Sequence, residues 1–100
     1  MAATKKESRF QREVIQMLYE RFPGCVVRKN QSGYTNGFPD ITVFIGEHWA
    51  MLECKREEDA AKRPNQDYWV NRLNEMSFAR FIFPENREEV LDELQQAFRT

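Results

Sequence analysis

The hydrophobic and polar positions of this chain repeat with two different periods, and the periods predict its helices and strands. Apolar residues spaced three to four apart are typical of an amphipathic helix, and short β-branched apolar runs are typical of strands. The helical spacing occurs at residues 6–22, 64–76 and 86–98. The strand-like runs occur at residues 25–30, 41–45, 48–52 and 78–83. The predicted order is therefore helix, three strands, helix, strand, helix.

The apolar stripe of each predicted helix indicates which residues face the core. In the first helix the stripe contains Phe10, Val14, Met17 and Leu18, widened by Ile15 and Phe22. In the second it contains Trp69, Leu73 and Met76, flanked by Tyr68 and Val70. In the third it contains Val90, Leu91, Leu94, Ala97 and Phe98.

The connections between the strands predict a mixed sheet. Gly46-Glu47 is turn-like, so the strands at 41–45 and 48–52 form an antiparallel hairpin. The helix at 64–76 connects the hairpin to the strand at 78–83 as a crossover, which makes those two strands parallel. We expect residues 1–100 to form a single α/β domain with helices packed around one mixed sheet.

The ends of the predicted hairpin carry the candidate chemistry. Asp40 begins the first strand and Glu53 ends the second, so the hairpin brings the two carboxylates together. Because strand side chains alternate between faces, Lys55 shares the face of Glu53, and Cys54 points to the other. Two carboxylates and an ammonium group are suited to binding Mg²⁺ and polarising a phosphodiester. Taken alone, the same spacing also describes a hairpin with solvated charges at its ends.

Polar residues flanking the hairpin predict the surroundings of this site. Asn30 and Ser32, in a polar loop before Pro39-Asp40, are candidate phosphate contacts, although the loop also reads as a plain connector. The basic pairs Arg28-Lys29 and Lys62-Arg63 are further candidate contacts to phosphate groups. Gln66 opens the second helix and is either a surface residue or a hydrogen-bond partner of the site.

Composition excludes several classes of protein. No apolar run approaches the roughly 18 residues of a membrane span, and the N-terminus lacks the apolar stretch of a signal peptide, so an intracellular, cytoplasmic protein is expected. Two cysteines and one histidine predict buried thiols and no structural zinc. The net charge of −1 does not indicate a nucleic-acid binder. However, residues 1–63 carry eleven Lys and Arg against nine Asp and Glu, so a locally basic face is compatible with the composition.

The motifs resemble the PD-(D/E)xK nuclease superfamily, and more narrowly its VRR-NUC (virus-type replication-repair nuclease) group. The resemblance runs from about Glu7 to Phe83. It is carried by five pieces in order: Glu7 with Gln11, Asn30 with Gly33, Gly37-Phe38-Pro39-Asp40, Glu53-Cys54-Lys55, and Gln66-x-x-Trp69-x-x-x-Leu73. The resemblance implies a restriction-endonuclease-like α-β-β-β-α-β core with a further C-terminal helix.

The resemblance also implies a role for each matching residue. Asp40 and Glu53 would bind Mg²⁺ or Mn²⁺, with the backbone carbonyl of Cys54 as a further candidate ligand. Glu7 would reach the metal directly or through a water. Lys55 would position or activate the attacking water, and Gln66 would support the site from the following helix.

The function implied by the resemblance is a metal-dependent DNA endonuclease in viral or bacterial replication, recombination or repair. Small stand-alone proteins of this group dimerise and cut branched DNA such as Holliday junctions, so a homodimer is expected. Two alternatives remain open from the sequence. One is a non-specific or nicking nuclease that needs a partner protein, and the other is a catalytically silent DNA-binding module. A metal protein unrelated to nucleic acid has little support without histidine or cysteine ligands.

Overall fold

The computed structural model describes residues 5–31 and 35–99, and Ser32 lies outside these ranges. The predicted order of elements is confirmed, and the predicted ends are correct to within about two residues. The elements are α1 (Lys5–Arg21), β1 (Val26–Lys29), β2 (Ile41–Ile45), β3 (His48–Cys54), α2 (Gln66–Met76), β4 (Ala79–Ile82) and α3 (Arg87–Phe98). None of the helices in these ranges has the length and hydropathy needed to cross a membrane.

The four strands form one mixed sheet in the order β1-β2-β3-β4. β2 pairs antiparallel with β1 and with β3, whereas β3 pairs parallel with β4. The predicted hairpin and the predicted crossover through α2 are therefore both confirmed. The crossover places the start of α2 beside the end of β3, where Glu53 lies.

The main core lies between one face of the sheet and helices α1 and α3. Alternate residues of β2 and β3 supply the sheet side of this core: Ile41, Val43, Ile45, Ala50, Leu52 and Cys54. The helices supply Phe10, Val14 and Leu18 from α1, and Val90, Leu91 and Leu94 from α3. Both cysteines are buried free thiols, as predicted.

Helix α2 covers part of the opposite face with a smaller apolar cluster. Val70 and Leu73 pack there with Ala79 and partly buried aromatic residues. The buried stripe of α2 is Gln66, Val70 and Leu73, so the predicted inward position of Met76 is wrong, and Met76 is 58% exposed. Helix α2 is oriented with Gln66 inward because Gln66 makes buried hydrogen bonds, and a buried amide without partners would cost stability. The inward prediction for Ala97 of α3 is also wrong, since Ala97 is exposed.

Candidate functional site

The β2–β3 hairpin brings Asp40 and Glu53 side by side. The register pairs Ile41 with Leu52, and the next residues outward on the two strands are Asp40 and Glu53. Because the two carboxylates are neighbours, the charge of Asp40 raises the pKa of Glu53. Cys54 packs in the core below the sheet, so Glu53 and Lys55 share the opposite face, as the alternation of strand side chains predicts.

Hydrogen bonds fix both oxygens of the Asp40 carboxylate. Oδ1 accepts a hydrogen bond from the backbone N–H of Cys54 at 3.1 Å. Oδ2 accepts one from Nε2 of Gln11 in α1, also at 3.1 Å. Burial raises the pKa of Asp40 to about 6, and these two hydrogen bonds oppose the rise because they favour the charged form. Strand β3 and helix α1 therefore both hold this carboxylate, which lies just before β2.

Asn30 holds the turn that carries Asp40. Its side-chain Nδ2 donates to the backbone carbonyl of Pro39 at 2.9 Å, and its backbone N–H donates to the carbonyl of Asp40 at 2.8 Å. Its Oδ1 accepts from the Thr42 hydroxyl at 2.9 Å. The amide predicted to contact phosphate is thus engaged with the protein itself. Thr42 is not among the site residues predicted from the sequence. Its signal in the sequence is a polar residue within an apolar strand, on the same face of the sheet as Glu53.

Glu53 is an almost fully buried carboxylate with one oxygen engaged and one oxygen unpaired. The residue is 1% exposed. Its Oε2 accepts a hydrogen bond from Nε2 of Gln66 at 2.9 Å, and it lies 4.0 Å from Nζ of Lys55 and 3.8 Å from Nη2 of Arg63. Its Oε1 has no hydrogen-bond partner among residues 5–31 and 35–99. Burial, followed by the charge of Asp40, raises the pKa of Glu53 to about 8.

The side chain of Gln66 forms hydrogen bonds with both Lys55 and Glu53. Its Oε1 accepts hydrogen bonds from Nζ of Lys55 at 2.7 Å and from the backbone N–H of Arg63 at 2.8 Å. Its Nε2 donates to Glu53, so these contacts fix the orientation of the amide. Lys55 also donates to the carbonyl of Ala61 at 3.2 Å, and burial lowers its pKa. The structure thus brings together the predicted residues Asp40, Glu53, Lys55 and Gln66.

The donor set fits a hard divalent cation that keeps part of its water shell. In the described ranges, no group of three or more His, Cys, Asp and Glu residues is arranged to hold a metal. Glu7 is therefore not gathered with the other two carboxylates, although its charge also raises the pKa of Glu53. Mg²⁺ often binds through one or two carboxylates together with water and phosphate. The unpaired buried Oε1 of Glu53 beside Asp40 supplies the kind of oxygen that such an ion takes.

Gly37 joins the two chain segments that form the site. Its φ angle is +81°, a conformation that other residues rarely adopt. A Cβ at this position would lie 2.5 Å from the carbonyl oxygen of Pro64 and 2.7 Å from the carbonyl carbon of Asn65. The turn before Asp40 therefore touches the backbone just before Gln66, and a side chain at residue 37 would separate them.

The comparisons with known proteins give the fold. No protein-family model and no curated protein sequence matches the chain. Among solved structures, a VRR_NUC domain superposes with a TM-score of 0.70 at 22% identity, over 89% of this chain and 97% of that one. The fold is that of a VRR_NUC domain. A Holliday junction resolvase, Hjc of the archaeal hyperthermophile Archaeoglobus fulgidus, matches with a TM-score of 0.52 at 17% identity, over 76% of this chain and 67% of that one. The predicted restriction-endonuclease-like fold is confirmed.

Basic residues lie on two sides of the carboxylates in this VRR_NUC fold. Arg28 and Lys29 are exposed on β1 and line a surface cavity of about 370 Å³, together with Asn30, Gln31, Thr35 and Phe38. On the other side, Nζ of Lys62 pairs with Asp67 at 3.0 Å and lies 4.4 Å from the ring centre of Phe81. Arg63 points instead to Glu53. The sequence had suggested only a phosphate contact for Arg63, and its position three residues before Gln66 is the signal that could have placed it in the site.

Proposed function

We propose that this protein is a VRR-NUC nuclease, a metal-dependent DNA endonuclease that hydrolyses phosphodiester bonds and prefers branched DNA. One observation carries the proposal: a buried Glu53 has an unpaired oxygen beside a second carboxylate and an anchored lysine. Burying two acids together is costly, and their raised pKa values express that cost. A divalent cation bound between the two carboxylates would offset this cost, which gives a reason for burying them together.

Asp40 and Glu53 would hold Mg²⁺ or Mn²⁺, with the carbonyl of Cys54 as the further proposed ligand. When bound, the ion would acidify a water and neutralise charge on the phosphate oxygens. The contribution of the chain is to keep the carboxylates in place. Gln11 and the Cys54 amide fix Asp40, and Gln66 fixes Glu53. Glu7, whose charge acts on Glu53, would reach the metal directly or through a water.

Lys55 would act on the attacking water or on the charge of the transition state. Among the described residues, Nζ has two hydrogen-bond acceptors, the Gln66 amide oxygen and the Ala61 carbonyl. An ammonium group has three donors, so the third is left for a water or a phosphate oxygen. Because these acceptors hold the ammonium group in place, Lys55 needs little reorganisation when negative charge develops on the phosphate in the transition state.

The two alternatives make different demands on the site. A silent DNA-binding module gains nothing from two buried acids near phosphate, since they repel the ligand and cost stability. A nuclease that needs a partner would retain the same site and would differ only in substrate selection. The exposed Arg28 and Lys29, on the strand next to β2, favour direct contact with DNA. The likeness to a resolvase fold makes the four-way junction the first substrate to test.

The sheet offers a surface for the proposed homodimer. Val26 of β1 is opposite Phe44 of β2, which in turn is opposite Trp49 of β3, so the three form a row on one face of the sheet. Val26 is 51% exposed and Phe44 is 46% exposed. We propose that two copies pack through this Val26–Phe44–Trp49 row, which would provide one active site for each of two strands. Light scattering should give twice the monomer mass of 12.0 kDa, and Phe44→Glu should return it to the monomer value.

The decisive experiment measures cleavage of labelled four-way junction, flap, linear duplex and single-stranded DNA. Each substrate is incubated with Mg²⁺, Mn²⁺ or EDTA, and Glu53→Gln is run beside the wild type. We expect cutting of the junction that needs metal and disappears in the variant. Binding of DNA without cutting of any substrate would refute the nuclease and support the silent module. Equal cutting of all substrates would refute the preference for branched DNA.

A further inference from the structure

Arg63 places a second cation at the mouth of the carboxylate site. Its Nη2 lies 3.8 Å from Oε2 of Glu53. The Arg63 side chain is 34% exposed, whereas that of Glu53 is 1% exposed, so the guanidinium spans from the buried carboxylate to the solvent. Its backbone N–H donates to the same Gln66 oxygen that anchors Lys55. The position of Arg63 is therefore fixed by the network that forms the site.

The neighbouring basic residue is directed elsewhere. Lys62 pairs with Asp67 and covers the ring of Phe81, and its ion pair is with Asp67 rather than with Glu53. Arg63 and a divalent ion would instead interact with the same acid, because the guanidinium already lies 3.8 Å from Oε2 of Glu53. Two cations that share one carboxylate repel each other, so the binding of one weakens the hold of the other.

We propose that Arg63 holds the Glu53 carboxylate in the metal-free protein, and that metal binding releases its guanidinium to contact two oxygens of the DNA phosphate. The planar guanidinium donates two parallel hydrogen bonds to a phosphate, which an ammonium group cannot do. Arg63 thereby couples binding of the metal ion to binding of the DNA phosphate. This role rests on the proposed nuclease function, but its first step concerns the metal alone.

The first test measures Mn²⁺ affinity by calorimetry at pH 8.5, where protons compete least for the carboxylates. The proteins are wild type, Arg63→Ala and Arg63→Lys, with Arg56→Ala as the control, because Arg56 is exposed and pairs with Glu57. Removing the competing charge in Arg63→Ala should tighten Mn²⁺ binding by about three- to tenfold. Arg63→Lys and Arg56→Ala should remain within about twofold of wild type. Unchanged or weaker binding by Arg63→Ala, with its circular dichroism spectrum intact, would overturn the competition.

The second test measures cleavage of the DNA that the wild type cuts. Arg63→Lys keeps the charge but loses the paired donors, so its kcat should fall by about tenfold while its KM changes by less than about threefold. Arg63→Ala should lose about a hundredfold in kcat, and Arg56→Ala should match the wild type. A wild-type rate for Arg63→Lys would refute the phosphate contact. If the wild type itself cuts no DNA, the proposed function fails, and the Mn²⁺ measurement still decides whether Arg63 competes with metal.

Discussion

Replacing Glu53 by glutamine should change how stability depends on pH in the metal-free protein. The pKa of Glu53 is raised to about 8 from its ordinary value of 4.5, mainly by burial and then by Asp40. Between these values the folded state keeps a proton that the unfolded state has lost. Stability from this group is therefore complete below about pH 4.5 and is lost as the pH rises to about 8.

The magnitude follows from the same two pKa values. Integrating the proton difference for Glu53 from pH 5 to pH 8 gives a loss of about 3 kcal/mol for the wild type. For a domain of this size, this corresponds to a fall in the melting temperature of roughly 10–20 °C. Glu53→Gln removes the titrating group while nearly preserving its shape, so that loss should disappear. The variant retains the smaller slope from Asp40, whose pKa is raised to about 6, chiefly by burial.

The assay is urea unfolding at pH 5, 6, 7 and 8 in EDTA. Glu57→Gln serves as the matched control, because the side chain of Glu57 is 44% exposed and the same substitution removes one carboxyl group there. Saturating Mn²⁺ at pH 8 should restore about 3 kcal/mol to the wild type at a hundred times the dissociation constant, and nothing to Glu53→Gln. Parallel pH profiles for wild type and Glu53→Gln would refute the assignment of the buried charge. Equal rescue of both proteins by Mn²⁺ would refute Glu53 as a metal ligand.

Three further variants test the parts around this carboxylate. Lys55→Ala should reduce cleavage by at least about a hundredfold while Mn²⁺ affinity is retained, and unchanged cutting would remove the lysine from the mechanism. Gly37→Ala should lower the free energy of unfolding in urea by about 2–4 kcal/mol, because the added Cβ meets the backbone of Pro64 and Asn65. A loss below about 0.5 kcal/mol would contradict the close contact. Asn30→Ala should cost about 2–3 kcal/mol, since it leaves the Pro39 carbonyl and the Thr42 hydroxyl unpaired, whereas exposed Asn36→Ala should change stability by less than about 0.5 kcal/mol.

The sequence predicts the fold well because periodicity and connection rules act locally. The alternation in β2 and β3 places Glu53 and Lys55 on one face, and the helical crossover through α2 is the connection that parallel neighbours such as β3 and β4 need. The inward direction of Met76 in α2 was wrong for a non-local reason. Periodicity weighs only apolar residues, whereas the helix is oriented by the buried polar contacts of Gln66 with Glu53 and Lys55.

Within the candidate site, the sequence predicts the residue types but not the way in which they are held. The carboxylates, the lysine and Gln66 follow from spacing and resemblance. The hydrogen bonds of Asn30 with Pro39 and Thr42 depend on the register of β1 against β2, which no local sequence pattern specifies. Arg63 reaches Glu53 only because an irregular segment folds back over the strand end, and loop paths are weakly encoded in sequence.

The contact of Gly37 with the backbone of Pro64 and Asn65 has a kinetic consequence. We expect the turn before Asp40 and the segment before Gln66 to open together, because their backbones are in close contact at Gly37. Local opening should therefore expose two amide protons together, that of Arg63 on Gln66 and that of Cys54 on Asp40. Amide hydrogen exchange at these two positions then reports how often the site disassembles while the sheet stays folded. We therefore expect a side chain at residue 37 to shorten the lifetime of the assembled site, although residue 37 is not one of the proposed reacting groups.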